Sequence, residues 1–325
     1  MTTVVNLSSL YTQIHPQLER VRESVRREWT DAFQLVYGTT ATPPRLGGKL
    51  MRPALCFMSA GAIGAQDPDE MVDMATAMEL LHLAALAHDD VVDHADLRRG
   101  ELSLNRLWDN HTAVLGGDYL VARALDILTN YDSSAVIKSA LHSIHQMAQG
   151  ELINFGRKQA LLNEADCIRL AEKKTASLFA VTCCTPAILI ENAFHDALFN
   201  FGMGIGTAFQ LVDDLLDLEQ DEEALGKPAC CDIVEGKTTL PILYMKDELP
   251  EGDVRRIDAM AGRPVDEGDR AWIRETLRTT GALERSETLA RKYVADARTA
   301  LETLPANPYS ESMLGVADFV LLRDS

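Results

Sequence analysis

Three observations predict an all-α fold. Apolar residues recur at helical spacing along most of the 325 residues. No segment sustains the period-2 alternation of a half-buried strand. No Gly-rich strand-to-helix phosphate loop is present, which disfavours kinase and dinucleotide folds. Because no long repeat or low-complexity linker divides the chain, residues 1–325 are expected to form a single domain; one large helical core can be that long.

Residues 6–37 place Leu7, Leu10, Ile14, Leu18, Val21 and Val25 at helical spacing, an amphipathic helix broken near Pro16. A loop rich in Pro and Gly follows and ends in Gly47-Gly48-Lys49, with Arg52 just beyond. Lys49 and Arg52 would therefore lie near a helix start, where free backbone N–H groups also favour an anion. Residues 71–92 are apolar on most sides, as a buried helix is. That helix nevertheless carries Asp89, Asp90 and Asp93. Asp89 and Asp93 share a face, about 6 Å apart along the axis. Carboxylates so close raise one another's pKa unless a cation compensates, and all-oxygen ligation favours Mg²⁺ over zinc. Arg98 and Arg99 follow and suit phosphate oxygens.

A turn region and another apolar helix come next, with Gly116-Gly117 allowing close packing. Residues 134–192 read as mostly helical, with polar interruptions at Gly150-Glu151 and Glu172–Ser177 and a kink or end expected at Pro186. Lys174 and Thr175 lie in the second interruption. A second acidic cluster then appears within an apolar run, with Gln210, Asp213, Asp214 and Asp217 spaced to share one helix face. A loop carrying Lys227 and Lys237 follows it. The unit of acids on a helix with basic groups behind thus occurs twice, which points to one shared cleft. Residues 239–325 give further helices without a chemical signature and are assigned a structural role.

Composition narrows the function. A formal charge of -18 argues against nucleic acid as a partner, which calls for a basic footprint. The six cysteines match neither zinc nor disulfide-scaffold spacing, so reduced thiols and a cytoplasmic location are expected. The longest apolar run, 178–190, falls short of the roughly 18 residues of a membrane span. The first residues lack a signal-peptide core.

Together the segments GGKLMRP, HDDVVDHADLRRG, QGELINF, EKKTASLF, FQLVDDLLD and GKPACCDIVEGKTTLP resemble the trans-isoprenyl diphosphate synthases, the polyprenyl synthetase family, over nearly the full chain. The resemblance implies an isoprenoid-synthase helical bundle around a central cleft that condenses isopentenyl diphosphate with an allylic diphosphate. It implies that Lys49, Arg52, His82 and Arg99 hold the diphosphate of isopentenyl diphosphate. Asp89, Asp93 and Asp213, helped by Asp90 and Asp217, would hold several Mg²⁺ ions against the allylic diphosphate. Arg98, Lys174, Lys227 and Lys237 would neutralise that leaving group, and Thr175 and Gln210 would turn oxygens toward the allylic cation. A homodimer and a peripheral membrane contact for product release are also implied.

Two positions depart from the family's pattern. Leu50 stands where a second basic residue is frequent, and Cys230-Cys231 where Gly or Ser is common. Other readings are a geranylgeranyl or farnesyl diphosphate synthase and a non-catalytic regulatory subunit. A class I terpene cyclase is disfavoured because DDLLD stands where its Asn/Asp, Ser/Thr, Glu triad would be. Ala84 and Ala85, one turn before Asp89, with Leu81 and Met78 below them, leave no aromatic floor under a growing chain. The expectation is a product longer than twenty carbons.

Overall fold

The computed structural model describes residues 6–40, 48–65, 67–98, 101–156, 163–220 and 228–323. A one-turn helix, Leu7–Leu10, and a 3₁₀ turn, Thr12–Ile14, lead into α1, His15–Tyr37. Pro16 lies in the first turn of α1, where its missing N–H costs nothing. The break expected near Pro16 is thus a helix start. Next come α2, Met51–Ala62, and α3, Val72–Val92. Most of α3 is buried, as its apolar surround requires.

Past α3 the chain forms a hairpin of two-residue strands, β1 Leu97–Arg98 and β2 Glu101–Leu102, pairing Leu97 with Leu102. This is the one departure from helices among the described residues. Helices α4, Asn110–Thr129, and α5, Ser134–Gly156, follow. The α4 helix packs along α3. Gly117 makes that possible, because a Cβ there would collide with the His88 ring.

One long helical stretch then changes type twice: α6, Glu164–Ala171, a π-helical segment, Glu172–Ala176, and α7, Ser177–Leu189. The α6 start is fixed by an Asn163/Asp166 capping box. Pro186 lies inside α7, which does not end there but continues to Leu189. The α7 side chains from Ser177 to Ala187 are buried among neighbouring helices, and that packing outweighs one lost backbone bond.

Helix α8, His195–Glu219, packs on α7 and carries the second acidic cluster. A Cβ at Gly206 would come within 2.5 Å of the Ala176 Cα, so only Gly lets α8 lie this close to the π segment. The chain closes with α9 Leu240–Glu248, α10 Glu251–Asp258, α11 Glu267–Thr279, α12 Ala282–Leu301 and α13 Pro308–Leu322. Of these, α12 lies along α8, and α13 spans α2, α8 and α12. The architecture is all-α apart from the hairpin.

Candidate active site

The helices enclose a cavity of about 1810 Å³. Its lining includes Lys49, Arg52, His82, Asp89, Asp93, Lys174, Thr175, Gln210, Asp213, Asp217 and Lys237. Residues far apart in the chain thus meet in one space. Arg99, Lys227 and the side chain of Arg98 lie outside the described residues.

One acidic wall is the end of α3. Asp89 and Asp93 line the cavity one turn apart, and the Lys237 ammonium donates to Asp93 Oδ2 at 3.0 Å while also pairing with Glu235. Burial opposes charge on Lys237, but the neighbouring Asp232, Glu235 and Asp93 outweigh it and raise its pKa. Asp90, expected to help hold the ions, stands apart from this pair. It is only 1 % exposed, is not part of the lining, and accepts from the Leu104 N–H at 3.4 Å. The reason is geometric: Asp90 is about 100° round the helix from Asp89.

The facing wall is α8. Asp213 and Asp217 line the cavity, and Asp217 Oδ2 accepts from the Asp232 N–H at 3.1 Å. Between them Asp214 is buried, and its pKa is pushed up to about 7, first by burial and then by Asp213 and Asp217, against the Gln210 hydrogen bond. Gln210 Nε2 donates to Asp214 Oδ1 at 2.8 Å, and the Thr175 hydroxyl donates to Gln210 Oε1 at 2.5 Å.

The π segment explains how Lys174 and Thr175 reach this space. Single π turns inside helices re-aim side chains at functional sites. Lys174 pairs with Glu151 of α5. Burial works against its charge, yet Asp89 and Glu151 prevail and raise its pKa.

The third wall is basic. At the start of α2, Arg52 stacks over the Phe179 ring at 4.3 Å, and Lys49 lies 5.4 Å from the Phe319 ring. Leu50, the N-cap, adopts a left-handed backbone (φ 48°) and buries its side chain in the core. It also lines the cavity, so a basic residue there would add charge to the same wall. Cys230 is also left-handed (φ 59°), a conformation Gly adopts most easily, and its N–H holds the Asp217 carbonyl at 2.8 Å.

Sequence reasoning missed Arg323. The residue follows α13, in a region assigned a purely structural role, yet it lines the cavity at 8 % exposure. Its guanidinium pairs with Asp213 at 2.6 Å, donates to the Phe209 carbonyl at 2.5 Å and stacks over the Phe209 ring at 3.6 Å. No motif spacing links position 323 to 213. The available signal was a single arginine ending an apolar helix. Glu151 falls in the QGELINF segment, but its pairing with Lys174 has no signal in the sequence.

Among the described residues no three acidic, imidazole or thiol groups converge into a closed metal cage. The donors are instead two carboxylate walls across a gap. That arrangement fits Mg²⁺, which keeps waters and binds through one or two carboxylates plus substrate phosphates. Protein cations, Lys237 and Arg323, stand at Asp93 and Asp213. Both carboxylates therefore already attract positive charge.

Comparison with known proteins bears on this geometry. The family model described as polyprenyl synthetase matches residues 34–276. A short chain isoprenyl diphosphate synthase of Methanothermobacter thermautotrophicus is 32% identical over 334 residues, covering 100% of both chains. Heptaprenyl diphosphate synthase component 2 of Geobacillus stearothermophilus is 32% identical, covering 98% of this chain and 100% of its own. Among solved structures, a polyprenyl synthase from Caulobacter crescentus, complexed with calcium and isoprenyl diphosphate, superposes with a TM-score of 0.90 at 31% identity over 100% of both chains.

Proposed function

Because the chain belongs to the polyprenyl synthetase family and is a trans-prenyltransferase, we propose that it is a Mg²⁺-dependent enzyme that adds isopentenyl diphosphate to an allylic diphosphate and makes a product longer than twenty carbons. The observation that carries this reading is the cavity itself, with two carboxylate walls facing each other and a basic wall beside them.

Asp89 and Asp93 on one side, and Asp213 and Asp217 on the other, are the groups that would hold the ions. Asp90 is left out of that set for its burial. When bound, Mg²⁺ supplies positive charge to the allylic diphosphate as its carbon–oxygen bond breaks. Lys174 and Lys237, and by family resemblance Arg98 and Lys227, add fixed charge around the same leaving group. Lys49, Arg52, His82 and Arg99 hold the second diphosphate. Thr175 and Gln210 offer oxygens to the allylic carbon as it becomes positive. Exclusion of water from the cleft by the bound substrates would protect the cation from being trapped. The double bond of isopentenyl diphosphate then supplies the electron pair of the new carbon–carbon bond. Loss of a proton to an oxygen of the released diphosphate restores a double bond.

Product length rests on the α3 wall, where Ala85 and Leu81 line the cavity and no Phe, Tyr or Trp stands between them. Relatives named for short and for heptaprenyl products are equally similar, so their names do not fix the length. The protein is read as one domain, cytoplasmic, and a homodimer. Exposed apolar side chains on α4 and α5, including Leu115, Leu152 and Phe155, support a second copy there. Among the described residues no helix is long and apolar enough to cross a membrane.

The test is the purified chain with labelled isopentenyl diphosphate and farnesyl diphosphate, with Mg²⁺ and with excess EDTA. Elongation with Mg²⁺ alone supports the reading. No elongation without a partner protein points to the regulatory-subunit alternative, and products of fifteen or twenty carbons point to a farnesyl or geranylgeranyl synthase.

A further inference from the structure

Asp214 is the one carboxylate of α8's acidic cluster to which the proposed reaction gives no task. It lies beside Asp213 but is largely buried, so it costs stability that some interaction must offset. The interaction present is one turn back along the helix, where Gln210 Nε2 donates to Asp214 Oδ1 at 2.8 Å. The other end of the same amide, Oε1, receives the Thr175 hydroxyl at 2.5 Å. All three side chains line the cavity.

A glutamine amide has an acceptor end and a donor end, and nothing in its shape distinguishes them. Thr175 cannot choose between them, since a hydroxyl both donates and accepts. An ionised carboxylate can, because it only accepts. Burial, Asp213 and Asp217 push Asp214 toward protonation, while the Gln210 NH₂ bond, and positive charge held beside Asp213 when Mg²⁺ binds, favour the ionised form. With Asp214 in place the NH₂ group is committed to it, and the oxygen, which keeps a second lone pair, is left to Thr175 and the cavity. With Asp214 gone the amide could turn over and present its positive end. In a water-poor site such a dipole would oppose the growing positive charge on the allylic carbon instead of favouring it.

We infer that Asp214 is a positioning residue for prenyl transfer: its carboxylate fixes the Gln210 amide with the oxygen toward the developing allylic cation. The inference rests on the prenyltransfer reading given above. Asp214 touches neither substrate nor metal in this role and acts through Gln210.

The test compares two ligands by calorimetric titration in the presence of Mg²⁺: an ammonium analogue of the allylic diphosphate, which mimics the cation, and its uncharged carbon isostere. Wild-type protein should prefer the ammonium analogue. Asp214→Leu should reduce that preference by about tenfold or more, the scale of one hydrogen bond to a charged group, while the isostere binds within roughly threefold of wild type. Asp214→Leu should add no further loss in a Gln210→Met background, because the two residues act as a unit. Asp214→Asn can present either end to the amide and keeps the volume. It should give an intermediate preference, and it decides the matter if the leucine variant does not fold. The inference is overturned if either Asp214 variant keeps the wild-type preference, if both analogues weaken alike, or if the losses add in the double variant. Wild-type protein that neither elongates nor prefers the ammonium analogue overturns the prenyltransfer reading itself, and the inference with it.

Discussion

Neighbouring alanines on α3 should respond oppositely to the same substitution. Ala85 lines the cavity, whereas Ala84 is 1 % exposed and packs in the core. Ala85 lies one helical turn, about 6 Å, below Asp89, and Leu81 about 12 Å below. In Ala85→Phe a ring occupies the path of a chain growing down that wall. Each methylene kept out of an apolar site forfeits about 0.8 kcal/mol, so one excluded five-carbon unit forfeits about 4 kcal/mol, roughly three powers of ten in the rate of further elongation. Products should therefore shift to the shortest lengths, with folding little changed because the ring enters existing space. Ala84→Phe forces the same ring into packed helices, at about 1–3 kcal/mol. It should lower the melting temperature by a few degrees and leave the product length alone. Chromatography of the prenyl products and thermal denaturation of both variants measure the contrast. Unchanged products from Ala85→Phe, or equal shortening by the two, would refute it.

Asp89→Ala should lower turnover by several orders of magnitude while leaving the helical circular-dichroism signal intact, and excess EDTA should have the same effect on wild type. Asp213→Ala should lose activity similarly but also melt earlier than Asp213→Asn, since Arg323 is left buried without its carboxylate. Arg52→Ala should raise KM for isopentenyl diphosphate far more than for the allylic substrate in steady-state assays, and equal changes would contradict the division of the two diphosphates. Asp269 accepts from Arg263 at 2.8 Å and Arg256 at 2.9 Å, and these bonds hold its carboxyl below the usual carboxylate range. A carboxyl with a lowered folded-state pKa stabilises the protein above its unfolded value and loses that contribution as pH falls through the folded one. The melting-temperature gap between wild type and Asp269→Asn should thus be largest near neutrality and close below about pH 4.

What the sequence made legible was local. One-turn spacing aligned Asp89 with Asp93 and Asp213 with Asp217, and those pairs line the cavity. The same arithmetic aligns Ala85 and Leu81 with Asp89 and turns Ala84 and Asp90 away, a distinction that reading the residues as motif letters obscures. Contacts between distant segments carried no such signal. Arg323 reaches Asp213, Glu151 reaches Lys174 and Lys237 reaches Asp93 through helix packing that no periodicity encodes. The left-handed backbones at Leu50 and Cys230 were equally hidden, since neither residue type advertises that conformation.

The π segment at Glu172–Ala176 gives the length of this helix a meaning apart from its composition. A π turn holds one residue more than the α turn it replaces. Deleting a single residue there would restore a regular α-helix, leaving α6 and α7 nearly in phase but re-aiming the residues of the turn itself. Each side chain could survive such a deletion unchanged in kind while Lys174 and Thr175 lost their aim into the cavity. Single-residue indels, more than substitutions, are therefore the mutations to which this stretch is most exposed, and related chains that keep the cavity should keep the residue count here even where they change the residues.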